Sequence, residues 1–172
     1  MRTRPDLVAP APWSNGPLTI FHGTVLTHWL DIARDGVRVG RGRLNTDFGR
    51  GFYATADLRQ ATGWAVQLAT RYRDTAAVAT AQVSRENLAS LESLCFVRGH
   101  EDAADFWSFV HSCRVGAETH ARPHLSKPMY DVVVGPVALN YRRRDAYENM
   151  DQISFHTRAA EDVLNGATWS RI

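Results

Sequence analysis

Short β-type runs and amphipathic helices follow one another in this sequence without a regular strand–helix alternation. The run Leu18–Phe21 stops at a His-Gly-Thr turn before a helix, and the apolar strand Ala76–Val83 precedes another short helix. Tyr130–Val137 is the most strand-like segment, and Pro136 restricts it to the end or the edge of a sheet. No glycine motif of the dinucleotide-binding or P-loop type follows a strand. The pattern therefore predicts an α+β fold with a mostly antiparallel sheet.

The chain is long enough for one substantial hydrophobic core and too short for two. It has 172 residues, of which 44% are hydrophobic and 22% charged, with a formal net charge of +2. This balance is typical of a globular chain and argues against a coiled coil or a disordered chain. We predict a proline-rich arm over residues 1–17 and a single domain over residues 18–172.

Several sequence features bear on location and on metal binding. The sequence has no apolar run of the ~20 residues needed to cross a bilayer, and its N-terminus lacks a signal-peptide pattern. Cys95 and Cys113 lack CxxC spacing, which favours reduced thiols. His120 and His124 have the i, i+4 spacing of a helical metal pair, but Pro123 argues against that helix. We expect a cytoplasmic protein without a bound metal.

Two strand ends carry residue types that are typical of a ligand site. Phe21–Thr24 and Gly49–Thr55 each place a polar or aromatic side chain beside a glycine, which lets a ligand approach the backbone closely. We predict that both segments are walls of one cleft. Trp64 lies on the following helix, which Asp57 would cap, so Tyr53 and Trp64 could hold a flat ring between them. Each of these residues alone also has a structural explanation, and only their ordered combination favours a site.

This combination resembles the catalytic core of the ADP-ribosyltransferases. The series consists of His22-Gly23-Thr24, Gly49-x-Gly51-x-Tyr53, the aromatic Trp64 and a late strand headed by Gln152. It is similar to the branch of diphtheria toxin and the poly(ADP-ribose) polymerases, whose signature is His, Tyr and Glu on three strands. The motifs Asn45–Tyr53, Tyr130–Val137 and Gln152–Thr157 also resemble a little-characterised bacterial family of that superfamily with Gln in place of the Glu. The resemblance implies a split, mostly antiparallel sheet with flanking helices.

The resemblance also implies an NAD-dependent transferase that uses NAD as a substrate and no metal. The catalytic residues would be His22, Tyr53 and Gln152. NAD would be bound by residues of the two strand ends, the loop between them and the following helix: His22, Gly23, Thr24, Arg41, Arg50, Gly51, Phe52, Tyr53 and Trp64.

Individual roles follow from the same resemblance. The Gly23 backbone would bond the nicotinamide carboxamide, and His22 would hold a ribose hydroxyl. Tyr53 and Trp64 would sandwich the nicotinamide ring. At least one arginine of the glycine-rich loop would pair with the pyrophosphate, and the sequence leaves open which: Arg38, Arg41, Arg43 or Arg50.

Gln152 stands where the superfamily has a carboxylate. Its amide can accept a hydrogen bond from the ribose 2′-hydroxyl but cannot act as a general base. Either Gln152 orients the ribose for an acceptor that supplies its own nucleophilicity, or another carboxylate serves, or the domain binds NAD without using it well. We expect transfer of a single ADP-ribose to a protein or nucleic acid.

Such an activity is typical of a bacterial toxin or defence effector, for which a cognate antitoxin is expected. Two alternatives stay open. One is a module that binds NAD or ADP-ribose without turnover. The other is an enzyme similar to the RNA 2′-phosphotransferases, with the basic run Arg142–Arg144 binding RNA. The same arginines and Tyr141 form a basic-aromatic patch that could bind a nucleic-acid acceptor, although a solvated loop explains them as well.

Overall fold

The computed structural model describes residues 16–97, 99, 103–120, 122 and 127–172. Most of the predicted N-terminal arm lies outside these residues, as do Pro123 and His124 of the rejected metal pair. No helix in the described part of the chain is long and apolar enough to cross a membrane.

The described residues form strands and helices in mixed order. The strands are β1 (Leu18–Val25), β2 (Phe52–Ala54), β3 (Ala76–Val83), β4 (Ser93–Cys95), β5 (Val132–Asn140), β6 (Asp145–Phe155) and β7 (Trp169–Arg171). The helices are α1 (Leu26–Asp35), α2 (Leu58–Tyr72), α3 (Arg85–Ala89), α4 (Ala104–Arg114) and α5 (Arg158–Asn165), and Val39–Arg41 form a 3-10 turn.

The strands form two sheets that meet at a single bridge. The first sheet has the order β1-β3-β7 and is antiparallel throughout; the second has the order β2-β6-β5-β4 and is parallel only between β4 and β5. The backbone N–H groups of Phe21 and Thr55 each donate to the other residue's carbonyl, at 2.8 and 2.9 Å. The predicted α+β class and its split, mostly antiparallel sheet are confirmed.

Side-chain caps begin α2, α3 and α5, whereas α1 and α4 begin without one. The Asp57 carboxylate accepts the N–H groups of the second and third residues of α2, at 2.7 and 3.4 Å, and Ser84 caps α3 in the same way. Thr157, which the sequence analysis did not single out as a cap, begins α5.

Two predicted strand boundaries are wrong. β1 continues through His22 to Val25, because these residues pair with β3 up to Ala76. β6 begins at Asp145, well before Gln152, because it pairs with the far end of β5. In both cases long-range pairing decides the strand length, whereas local composition predicts a stop.

Pro136 lies inside β5, at a position where the strand is an edge. β4 pairs with β5 only at Val132–Val134, so at Pro136 no described strand lies on that side. A register shift between Pro136 and Ala138 follows directly. A residue without a backbone N–H is tolerated at such an irregular edge.

Helices cover the sheets through two apolar clusters that matter for the site. Ala61 and Ala65 of α2 pack on Val78 in the first sheet. Aromatic residues of α4, with Phe48, pack on Val133 in the second sheet. Residues of α2 and of the loop that connects α1 to β2 line the cavities where the two sheets meet.

Candidate functional site

Two adjoining cavities lie where the sheets meet. Cavity 1 has a volume of about 260 Å³ and is lined by β1, β2, α2 and the β5–β6 ribbon. Cavity 2 has a volume of about 750 Å³ and is lined by β1, α1, α2 and the loop before β2. Both are lined by His22, Gly23, Tyr53 and Trp64. Cavity 2 falls within the range of about 300–1,000 Å³ that is typical of small-ligand sites.

The split sheet explains why residues distant in sequence meet at these cavities. His22 comes from β1 in the first sheet, whereas Tyr53 and Gln152 come from β2 and β6 in the second. Tyr53 pairs directly with Ser154, two residues after Gln152. Because paired residues and every second residue share one face, Tyr53 and Gln152 lie on the same face of the second sheet.

His22 is held as a neutral imidazole. Its Nδ1 lies 2.6 Å from the carbonyl oxygen of Tyr53, which can only accept, so Nδ1 carries the proton. Burial lowers the pKa of His22 to about 4, and the ring stacks on Phe52 with centroids 4.3 Å apart. Nε2 has no hydrogen-bond partner among the described residues and is an acceptor at the cavity wall.

Tyr53 joins its strand to the loop before it. Its hydroxyl donates to the Gly49 carbonyl at 2.7 Å and accepts the Phe48 N–H at 3.0 Å. The Thr46 hydroxyl lies 2.8 Å away. Burial raises the pKa of Tyr53 above its usual value. The phenol is therefore a structural anchor, and the ring is the part of Tyr53 that lines both cavities.

Trp64, on α2, lines both cavities together with Tyr53 and is 53% exposed. Gly23 sets the distance between α2 and β1, because a Cβ at Gly23 would lie 2.1 Å from the Ala61 carbonyl oxygen. The sequence analysis attributed this glycine to ligand approach, and the structure adds close helix packing as a reason. The backbone of Gly23 still lines both cavities.

Gln152 lines cavity 1 and is connected to an ion pair whose carboxylate, Asp47, is buried. Its Nε2 donates to Asp47 Oδ2 at 2.7 Å and to the Pro136 carbonyl at 3.0 Å. The other oxygen of Asp47 lies 2.6 Å from a terminal guanidinium nitrogen of Arg114. Gln152 Oε1 has no hydrogen-bond partner among the described residues, so the amide oxygen is the free end of the side chain.

A family model described as "Protein of unknown function (DUF3990)" matches residues 18–142. The chain belongs to the DUF3990 family. The match includes both strand ends and α2, and it stops before Gln152. No curated protein and no solved structure matches the chain.

The arginines of this DUF3990 chain are placed unequally around cavity 2. Arg41 lines it but lies 3.5 Å from Asp35 and 4.0 Å from Asp31, so its charge is compensated. Arg38 and Arg43 also line cavity 2, and no described residue forms an ion pair with either. Arg50, which the resemblance placed at the NAD site, lines neither cavity.

The other predicted residues lie at the same cavity. Thr24, Gly51 and Phe52 line cavity 2. A Cβ at Gly51 would lie 2.6 Å from the Phe155 carbonyl oxygen, so close packing requires glycine there as well. The described residues contain no group of three or more His, Cys, Asp or Glu that could hold a metal ion.

Sequence reasoning missed two polar residues of the site. Asp47 appeared only as part of a motif, because its partners lie 67, 91 and 105 residues away in the chain. Arg59 lines cavity 1 and is the second residue of α2, where its backbone N–H donates to the Asp57 cap. The position of Asp47, a charged residue inside a glycine-rich loop, was a signal that the sequence did contain. The spacing of residues alone could not identify its hydrogen-bond partners.

Proposed function

We propose that the protein is an NAD-dependent mono-ADP-ribosyltransferase, a glycosyltransferase that moves ADP-ribose from NAD to a macromolecule. The observation that carries the proposal is that cavities 1 and 2 meet at His22, Gly23, Tyr53 and Trp64. A two-part ligand fits such a pair of cavities. The nicotinamide half would occupy cavity 1 and the adenosine half cavity 2.

The lining of each cavity supports this orientation. Cavity 1 combines the aromatic side chains of Tyr53 and Trp64, which suit a flat ring, with Gln152, which lines cavity 1 alone. Cavity 2 offers Arg38 and Arg43, whose guanidinium groups suit a pyrophosphate. We therefore propose Arg38 and Arg43, ahead of Arg41 and Arg50, as the pyrophosphate-binding residues.

The chemistry needs few groups beyond those that hold the two halves of NAD. The bond between nicotinamide nitrogen and ribose C1′ breaks, and its electron pair leaves with the nicotinamide, which becomes neutral. The ribose is left with oxocarbenium character until a lone pair of the acceptor forms the new bond at C1′, and the proton that the acceptor atom then loses passes to water. Positioning and electron-rich groups near the ribose favour this step. Gln152 Oε1 and His22 Nε2 are such groups.

The absence of charge on Gln152 supports a single transfer. An amide orients a hydroxyl but takes no proton from it, so the acceptor would supply its own nucleophile. Extension of the product into a polymer, which requires activation of a ribose hydroxyl, is not part of the proposal.

The lack of a charged base at cavity 1 favours a second candidate, a module that binds NAD or ADP-ribose without turnover. Neither His22, neutral at pH 7, nor Gln152 offers a charged base to cavity 1. Nothing at the cavities favours the RNA 2′-phosphotransferase alternative, because Arg142–Arg144 line neither one. A cytoplasmic site of action, a role as a bacterial toxin and a cognate antitoxin stay predictions.

Adenosine-labelled NAD distinguishes the two candidates. The purified protein is incubated with it in a cell lysate, and the protein and nucleic-acid fractions are then separated. A transferase places label in one of these fractions and thereby identifies the acceptor class. Binding of NAD measured by calorimetry, with no label in either fraction, would favour the binding module.

A further inference from the structure

Asp47 is a buried carboxylate that lies directly behind Gln152. It is 3% exposed and lines neither cavity. Its Oδ1 accepts from Arg114, with Nε at 2.8 Å. Its Oδ2 accepts the Ala138 N–H at 2.9 Å and Gln152 Nε2 at 2.7 Å. The hydrogen bonds of the Asp47 carboxylate are therefore complete only if the side chain at position 152 is a hydrogen-bond donor.

These contacts decide which end of the Gln152 amide faces cavity 1. Nε2 donates to two acceptors, Asp47 Oδ2 and the carbonyl oxygen of Pro136. An amide turned by 180° would set Oε1 against both acceptors, and no hydrogen would lie between them. Such an arrangement leaves buried acceptors unpaired and is strongly disfavoured.

We propose that Asp47 is a positioning residue that holds Gln152 with Oε1 toward cavity 1, and that its charge requires an amide at position 152. A carboxylate there would bring two negative oxygens to hydrogen-bond distance inside the protein, where both cannot be ionised at low cost. The glutamine is therefore matched to Asp47. The kinetic consequence rests on the proposed function, whereas the orientation of Gln152 does not.

The stability of Gln152→Glu tests the requirement for an amide without NAD. Asp47 and burial would raise the pKa of the introduced carboxylate in the folded state, so the stability of the variant relative to wild type is highest below about pH 4 and falls progressively as the pH rises from about 5 to about 8. We expect the unfolding equilibrium constant, relative to wild type, to rise at least about tenfold over this range. Adding Asp47→Asn should remove most of that slope.

Gln82→Glu is the matched control, because Gln82 is exposed on β3 and lines neither cavity. Its stability should follow that of the wild type across the range. A cost of Gln152→Glu that does not change with pH would overturn the proposal, as would a slope that Asp47→Asn leaves intact.

The kinetics of Asp47→Asn test positioning. In Asp47→Asn we expect kcat for nicotinamide release to fall about tenfold, which is the effect of one misplaced hydrogen bond. The Kd for NAD should stay within about twofold of the wild-type value. Asp131→Asn is the control: Asp131 is equally buried, accepts a backbone N–H and a hydroxyl, and lines neither cavity. It should lose stability but keep kcat.

Two kinetic results would overturn the positioning role. One is an equal fall in kcat for both variants, and the other is a parallel loss of NAD affinity and kcat in Asp47→Asn. If the wild-type protein neither binds NAD nor releases nicotinamide, the proposed function fails, and the stability of Gln152→Glu alone decides whether Asp47 orients Gln152.

Discussion

Tyr53 and Trp64 line the same cavities but are held by very different contacts. The Tyr53 hydroxyl bonds the loop that carries Asp47, at Phe48 and Gly49. Removing the Tyr53 side chain would therefore disturb Gln152 as well as any ring stack. Trp64 is about half exposed and forms no described hydrogen bond or ring pair. It is the residue at which stacking can be tested alone.

Trp64→Ala should weaken NAD binding about fivefold or more, because an aromatic pair contributes roughly 1 kcal/mol beyond its buried area. Trp64→Phe keeps an aromatic face and should retain most of the affinity. Calorimetric titration with NAD measures both variants, and thermal unfolding should show that each is folded. Equal NAD affinity for the wild type, the Ala variant and the Phe variant would contradict the ring clamp.

The residue types at the cleft could be predicted from the sequence, but their connections could not. His22, Tyr53 and Gln152 were selected in advance, and the structure brings all three to cavity 1. The hydrogen bond between Asp47 and Gln152 spans 105 residues. No local hydrophobic period or motif spacing predicts such a contact, because it depends on where the loop before β2 packs against the second sheet.

Among the elements, α5 controls the loop that brings arginines to cavity 2. Asn165 at its end accepts the Val37 N–H at 2.7 Å and donates to the Val37 carbonyl at 3.0 Å. One turn earlier, Glu161 accepts the Val39 N–H at 2.8 Å. These bonds fix the backbone on both sides of Arg38, so α5 supports one wall of cavity 2 although none of its residues lines that cavity.

Asn165→Ala should free this loop and weaken NAD binding, with a loss of stability of about 1–3 kcal/mol from the unpaired backbone groups. Faster amide exchange at residues 37–39 would show that the loop is the affected part. Asn140→Ala removes a comparable pair of backbone hydrogen bonds at the β5–β6 turn, away from both cavities. If the two variants bind NAD equally well, α5 does not support the site.

Local sequence is sufficient to predict where some of the helices and strands begin, but not all of them. The start of α2 follows from the Asp57 cap and the apolar spacing after it, both of which are local. The early half of β6 could not be found in this way. Its residues are mostly exposed, and they are extended only because β5 continues past Pro136 to pair with them.

Across the whole molecule, buried histidines connect the folded state to pH. His156 lies beneath Tyr53 and is held by the Arg50 carbonyl at 2.8 Å and the Ser154 hydroxyl at 2.8 Å. Burial, with a smaller contribution from the charge of His120, lowers the pKa of His156 to about 4. Burial also lowers the pKa of His120, which packs against His156 with ring centroids 4.6 Å apart.

The protein should therefore lose stability as the pH falls from about 6.5 to about 4. Over that range the unfolded chain binds a proton at His156 and the folded chain does not, so acid favours unfolding. The lowered pKa of His120 acts in the same direction. For His156 the difference amounts to about 3 kcal/mol at full protonation. The free energy of unfolding should depend less steeply on pH in His156→Gln, whereas the exposed His111→Gln should keep the wild-type slope. A wild-type stability that stays constant down to pH 4 would contradict this coupling.

The central claim is that the two cavities form an NAD site with the reaction at Gln152. Its most direct test is release of nicotinamide from NAD by the purified protein, with Gln152→Ala measured in parallel. We predict release by the wild type, and a loss of kcat in the variant that is larger than its loss of NAD affinity, because Gln152 acts mainly on the ribose as the bond breaks. Tight NAD binding by the wild type without any release of nicotinamide would contradict the transferase.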